Sequence, residues 1–167
     1  MTPFDANAGE LLKDACDQVI NDPDLAPEIG PDGRVLKTRC NQGALLVAQA
    51  MGCEEFNTDG EPLMADEMIA LMERNESGKW STGTSSEAAI HALSGGLAFA
   101  VKTSAELEEV HGHICAVYPA SQQWRGSWKK DTAMLANVGK QNREEKASEA
   151  FPVSKGEPEF YLWNKES

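Results

Sequence analysis

The chain is short of positive charge, of histidine and of long apolar runs. Its 15 lysines and arginines stand against 27 aspartates and glutamates, a formal net charge of −12. Neutralising phosphates takes clustered Lys and Arg, so this balance argues against a nucleic-acid partner and leaves solubility as the plain consequence of the acidity. No stretch reaches the ~20 apolar residues that a membrane-crossing helix needs, and no membrane association is expected. The first residues, MTPFDANAGELLKDACDQVIND, are acidic and amphipathic, whereas a secretory signal starts basic and continues as an unbroken apolar centre; synthesis in the cytoplasm is the expectation. Neither a C-x-x-C pair nor an H-E-x-x-H motif is present. His111, His113 and Cys115 form H-x-H-x-C, which aligns three side chains on one strand face and with Cys40 could bind a metal, but zinc needs four well-placed ligands with second-shell support and no such pairing supplies them. No metal and no cofactor is expected.

What is present reads as one domain over residues 1–167, long enough to bury roughly 70% of the surface of the unfolded chain. The 4 cysteines, Cys16, Cys40, Cys53 and Cys115, sit inside apolar periodic runs rather than at the spacings of a disulfide framework, which fits reduced thiols. An amphipathic helix is predicted over residues 6–21, with Leu11, Leu12, Ala15, Val19 and Ile20 near one face. Residues 22–33, DPDLAPEIGPDG, are too rich in proline and glycine for a regular element and should wrap the surface as a loop. A second helix runs from Cys40 to Met51, apolar on several sides and stopped by Gly52. A third is predicted from about Pro62 to Glu73, and a fourth over SSEAAIHAL with Ser85 or Ser86 as N-cap, after a loop NESGKWSTGT. LAFAVKT, HICAVYP, MLANVG and EFYLW then read as antiparallel strands. Helices first and strands later predict an α+β fold, with N-terminal helices packed on a C-terminal antiparallel sheet.

The residues that point to chemistry are Cys40, His113 and Asn137. A cysteine at a helix start meets unpaired backbone N–H groups and the positive end of the helix dipole, both of which stabilise a thiolate and later an oxyanion. His113 opens an apolar strand. Asn137 is the one amide in the apolar alternation of the next strand, on the face it shares with Leu135 and Gly139. If those strands pair, the amide oxygen can accept a proton from one imidazole nitrogen and leave the other for sulfur. Asp131 is an alternative orienting residue, and the roles of His111 and Cys115 stay open. Asn41 beside the cysteine, Trp80, and the aromatic and basic loop SQQWRGSWKKD with Trp124, Arg125 and Trp128 are candidates for gripping a substrate.

TRCN, GHICAVYP and LANVGK together resemble the papain-like cysteine hydrolase superfamily, in its bacterial NlpC and CHAP branch of cell-wall amidases and endopeptidases. The resemblance is one of order and context over residues from about 36 to 163. It implies Cys40 as nucleophile, His113 as general base and then acid, and Asn137 as the orienting residue. It further implies a peptidoglycan or peptide substrate, a monomer, and delivery to the wall or periplasm by lysis or a dedicated secretion machine. Two departures stand out: Arg39 and Asn41 flank the cysteine, and the third member is an amide. A hydrolase of a protein amide or isopeptide bond is one alternative, and a non-catalytic acidic binding protein is another.

Overall fold

The computed structural model describes residues 6–58, 61–125 and 128–166, with the side chains of Ala6, Asn57, Thr58 and Arg125 outside that description. In chain order, helix α1 (Ala6–Asn21) leads through a 3-10 turn at Pro23–Leu25 into a small hairpin, β1 (Glu28–Ile29) and β2 (Val35–Lys37). Helix α2 (Cys40–Ala50), a second hairpin of β3 (Asn57–Thr58) and β4 (Glu61–Pro62), and helix α3 (Ala65–Arg74) follow. Strand β5 (Trp80–Gly83), helix α4 (Ser85–Leu93), strand β6 (Ala98–Lys102), the short helix α5 (Ser104–Leu107) and strand β7 (His113–Val117) come next. A hairpin of β8 (Gln123–Arg125) and β9 (Lys130–Thr132) precedes β10 (Met134–Asn137), β11 (Arg143–Lys146), the short helix α6 (Ala147–Ala150), a 3-10 turn at Val153–Lys155 and β12 (Glu159–Trp163).

Six strands form one antiparallel sheet in the order β11-β10-β7-β6-β12-β5. The fold class is therefore α+β, as the pattern of helices first and strands later implies. Strand β6 is buried at every position and β7 at every position after His113, so both faces of the sheet's centre are covered. This is why their sequences read as continuous apolar runs rather than as alternations. The C-terminal strand β12 inserts between β5 and β6, joining the two ends of the chain's sheet-forming half. An aromatic cluster of Phe56, Trp80, Phe99 and Trp163 fills the core at that side, and the Glu55 carboxylate accepts from both indole N–H groups, at 3.3 Å from Trp80 and 3.0 Å from Trp163.

Several local readings change in the structure. Leu11 points to solvent, and Cys16 joins Leu12, Ala15 and Val19 on the buried face of α1, the set that a 100° turn per residue aligns. Residues 28–29, inside the expected loop, pair with Val35–Lys37 as a hairpin. Pro62 pairs with Asn57 in β4 and lies outside α3, which starts only at Ala65, where the Glu67 carboxylate accepts the Met64 N–H at 3.0 Å. Thr84, not Ser85 or Ser86, caps α4: its hydroxyl accepts from the Glu87 N–H at 3.1 Å while Glu87 accepts from the Thr84 N–H at 3.0 Å. The expected loop around Trp80 is the edge strand β5, and the charged run REEK is the opposite edge strand β11. Among the described residues no helix is long and apolar enough to cross a membrane.

Candidate functional site

Helix α2 begins at Cys40 with no side-chain cap from Arg39, whose guanidinium instead meets the Glu28 carboxylate at 2.6 Å. The first backbone N–H groups of the helix are thus left for other acceptors. The helix lies close against the sheet because residue 43 is glycine. A Cβ there would sit 2.8 Å from Val138 Cγ2 and 3.1 Å from its Cβ, well inside normal contact. Gly43 follows Cys40 by three residues and shares its face, so the same close approach brings the sulfur down to the strand ends.

His113 is the first residue of β7 and Asn137 the last of β10. The two strands pair antiparallel, Leu135 with Val117 and Ala136 with Ala116, and continuing that register sets Asn137 opposite Cys115 and Gly139 beside His113. A Cβ on Gly139 would stand 3.2 Å from Asn137 Oδ1 and 3.3 Å from His113 Cε1, so glycine keeps this corner open for the imidazole. His113 Nε2 lies 2.7 Å from Asn137 Oδ1 and 3.2 Å from Cys115 Sγ, and Cys40 is near enough to the ring to bear on its charge. Phe151, fully buried, packs tilted on the imidazole with ring centroids 5.1 Å apart and gives that ring an apolar wall. Cys40 itself is 7% exposed.

The electrostatics separate the two sulfurs that touch this ring. Burial by itself would push the Cys40 thiol up, but the hydrogen bond and charge of His113, with the backbone N–H groups of Ile114 and Asn41, outweigh it and hold the thiol below its ordinary value of 9.0. Burial would likewise drive His113 toward the neutral form, yet the neighbouring sulfurs of Cys115 and Cys40 hold its pKa well above 6.5. Cys115 goes the other way: burial dominates and raises its thiol. The direction thus differs between the two sulfurs: Cys40 is favoured as thiolate and Cys115 as thiol, whose S–H donates to Asn137 Oδ1 at 3.2 Å. Cys16 and Cys53 are raised by burial to about 12 and about 11.

Of the sequence-derived site residues, the structure brings Cys40, His113 and Asn137 together. Asp131 is an exposed residue of β9, away from the imidazole. Asn41 lies beside Cys40, but its amide nitrogen donates to the Leu63 carbonyl at 3.1 Å, tying α2 to the segment before α3. The tryptophans are a correction. Trp80 is 4% exposed, in the core of the edge strand farthest from β10 and β7, and cannot touch a substrate at Cys40. Trp124 and Trp128 belong to the β8–β9 hairpin, which leaves the sheet where β7 ends and β10 begins. That is the opposite end from His113, about 13 Å along the strand at ordinary rise. Trp124 is 60% exposed and Trp128 is packed on the core; Gly126, Ser127 and the Arg125 side chain of this loop lie outside the described residues. His111 is an exposed bend residue before β7, and among the described residues no group of three or more His, Cys, Asp or Glu is placed to hold a metal ion. His91 Nε2 meets the Trp163 carbonyl at 3.0 Å inside the core.

Sequence reasoning missed Phe151, Gly43 and Glu145. Glu145 is buried at 6% exposure, and Asn137 Nδ2 donates to its Oε1. Its sequence context, REEK, carries no hydrophobic alternation to mark one of two adjacent glutamates as inward. A cavity of about 390 Å³ opens at Glu55, Leu71, Arg74, Glu76 and Ser77, none of them a residue of this site. Compared with protein families and with curated proteins, the sequence matches no family model and no curated protein.

Proposed function

We propose that the protein is a cysteine hydrolase of amide bonds, an amidase or endopeptidase of papain-like type, with Cys40, His113 and Asn137 as its triad. One observation carries this reading: a cysteine at a helix start without a side-chain cap lies beside an imidazole whose Nε2 is 2.7 Å from the Asn137 amide oxygen, and the thiol is lowered by that imidazole. A merely structural cysteine as buried as this one has its thiol pushed up, as Cys16 and Cys53 do.

The chemistry follows from the positions. With Nε2–H donating to Asn137 Oδ1, Nδ1 is the ring atom left to share a proton with sulfur. The thiolate attacks the substrate carbonyl carbon, and the oxygen that gains the electron pair is stabilised by backbone N–H donors at the start of α2, the Cys40 N–H among them. The imidazolium gives its proton to the leaving nitrogen as the C–N bond breaks, which releases an amine and leaves a thioester on Cys40. His113, now neutral, takes a proton from water as that water attacks the thioester; the C–S bond breaks and a carboxylate departs. The substrate class, peptide bonds of peptidoglycan stem peptides, rests on the resemblance of TRCN, GHICAVYP and LANVGK. The test is digestion of purified peptidoglycan and of its stem peptides, with new amine and carboxyl ends quantified against Cys40→Ala. Equal digestion by the variant refutes the nucleophile. Activity on a protein amide with none on wall fragments moves the substrate to the protein class.

A further inference from the structure

We infer that Glu145 is a positioning residue of this site, which sets the orientation of the Asn137 amide and through it the protonated nitrogen of His113; the inference rests on the hydrolase reading above. An asparagine amide has a donor end and an acceptor end of nearly equal shape, so its orientation is decided by its partners. An ionised carboxylate only accepts. Glu145 Oε1 accepts from Asn137 Nδ2, and Glu145 Oε2 is held by Arg143 Nε at 2.8 Å, with Arg143 reaching on to Glu149 at 3.8 Å. Turned over, the amide would set its oxygen against the carboxylate and its N–H groups against the His113 Nε2–H and the Cys115 thiol, losing the bond to Glu145 and those to Oδ1 while the Arg143 pairs stay.

On the other side of the amide, Oδ1 takes two donors, His113 Nε2–H at 2.7 Å and the Cys115 thiol at 3.2 Å. The Cys115 sulfur also lies 3.2 Å from Nε2, so imidazole, thiol and amide oxygen form one cluster whose fixed member is the amide. The register explains the reach: Asn137 pairs with Arg143 and Leu135 with Glu145, so Glu145 lies diagonal to Asn137 on the same face of the sheet. Burying a carboxylate is costly unless its oxygens are bound, and here the partners are one cation and one amide whose other end serves the imidazole. This also accounts for an amide rather than a carboxylate at position 137, since an aspartate there would put two like charges in one buried site.

The test reads the pH dependence of Cys40 alkylation by iodoacetamide, mapped to the Cys40 peptide, in Glu145→Met, Glu145→Gln, Asn137→Ala and Asn137→Ala/Glu145→Met. Positioning through Asn137 predicts that Glu145→Met slows alkylation at pH 6 about tenfold and moves the acid limb up by about one unit. In the Asn137→Ala background the same change has an effect of about twofold or less, because the group it acts through is gone. Glu145→Gln keeps an acceptor for Asn137 Nδ2 and stays within about threefold of the parent. Equal losses from Glu145→Met in both backgrounds, or a loss from Glu145→Gln as large as that of Asn137→Ala, would overturn the role and leave a purely structural ion pair with Arg143. Should Glu145→Met fail to fold, the near-isosteric Glu145→Gln decides by the same threshold. If the parent protein shows only the profile of an ordinary thiol, the hydrolase reading falls and this inference with it. Loss of coupling over an intact acid limb removes the inference alone.

Discussion

Gly43→Ala tests whether the seating of α2 on the sheet sets the position of Cys40. The added Cβ would meet Val138 Cγ2 at 2.8 Å, about 0.6 Å short of the 3.4 Å at which ordinary contact begins, and Val138 Cβ at 3.1 Å. Rotating the valine does not relieve this, because its own Cβ is one of the two atoms struck and its χ1 is stiff. The helix must retreat by about half an ångström or more, at a cost typical of overpacking, about 1–3 kcal/mol. Cys40 lies on the same rigid helix and retreats with it from His113. Misplacement of about 1 Å in a reacting group costs up to about a hundredfold, so a shift of half that should slow the site by about tenfold. The assay pairs thermal unfolding with the second-order rate of Cys40 alkylation at pH 6. A variant with the parent's melting temperature and alkylation profile would show that the helix has room to spare, and the reasoning would be wrong.

Other outcomes follow from the same geometry. His113→Ala removes both the hydrogen bond and the charge that hold the Cys40 thiol low, so its alkylation profile should move up in pH while Cys16 and Cys53 keep theirs; Cys115, which His113 also lowers, should move up as well, and peptide mapping reads all four. In the native protein Cys40 should be labelled first near neutral pH, since burial raises Cys16 to about 12 and Cys53 to about 11 and also raises Cys115. On the hydrolase reading the reaction needs thiolate and imidazolium together, so the pH profile of kcat/KM should rise through a pKa lowered from the ordinary thiol value and fall through one raised above the ordinary imidazole value, a bell that His113→Ala abolishes. Tyr118→Phe deletes the 2.7 Å hydrogen bond from the Tyr118 hydroxyl to Asp17 on α1, with an expected loss of about 1 kcal/mol at pH 7. Asp17 is lowered, its burial outweighed by Lys13 and Tyr118, so what ionised Asp17 contributes is present above its unfolded value of 3.8 and lost as the pH falls through its folded one. Denaturant melts of both proteins at pH 7 and at acid pH should therefore converge at the acid end.

The parts of the fold that could be read from the chain are those where local chemistry and burial agree. The periodicity of residues 6–21, the apolar runs of β6, β7, β10 and β12, and the order of helices before strands all led to an α+β arrangement. The departures occur where a residue's local preference and its tertiary use differ. Pro62 is compatible with a first helical turn, but pairing with Asn57 claims it for a strand. Trp80, among turn-forming neighbours, belongs to an edge strand because β12 lies alongside it and Phe56 stacks on its ring. REEK has no apolar alternation because one face of an edge strand meets water and the other has a single inward place, filled by Glu145.

The same division runs through the site. By itself the sequence determined the types and the order of the groups: a thiol at a helix start, an imidazole opening a strand, an amide on the next strand, and a net charge of −12. Those are local properties, set by backbone N–H groups, strand alternation and composition. Only the tertiary structure decided which of these groups meet. The antiparallel register of β7 and β10 puts Asn137 beside His113 and carries Trp124 and Trp128 to the other end of the sheet. The close packing of Gly43 on Val138 brings Cys40 to the imidazole, and β11 supplies Glu145 behind the amide. Distance in a folded chain is fixed by register and by packing at contact range, and neither is written in any one segment.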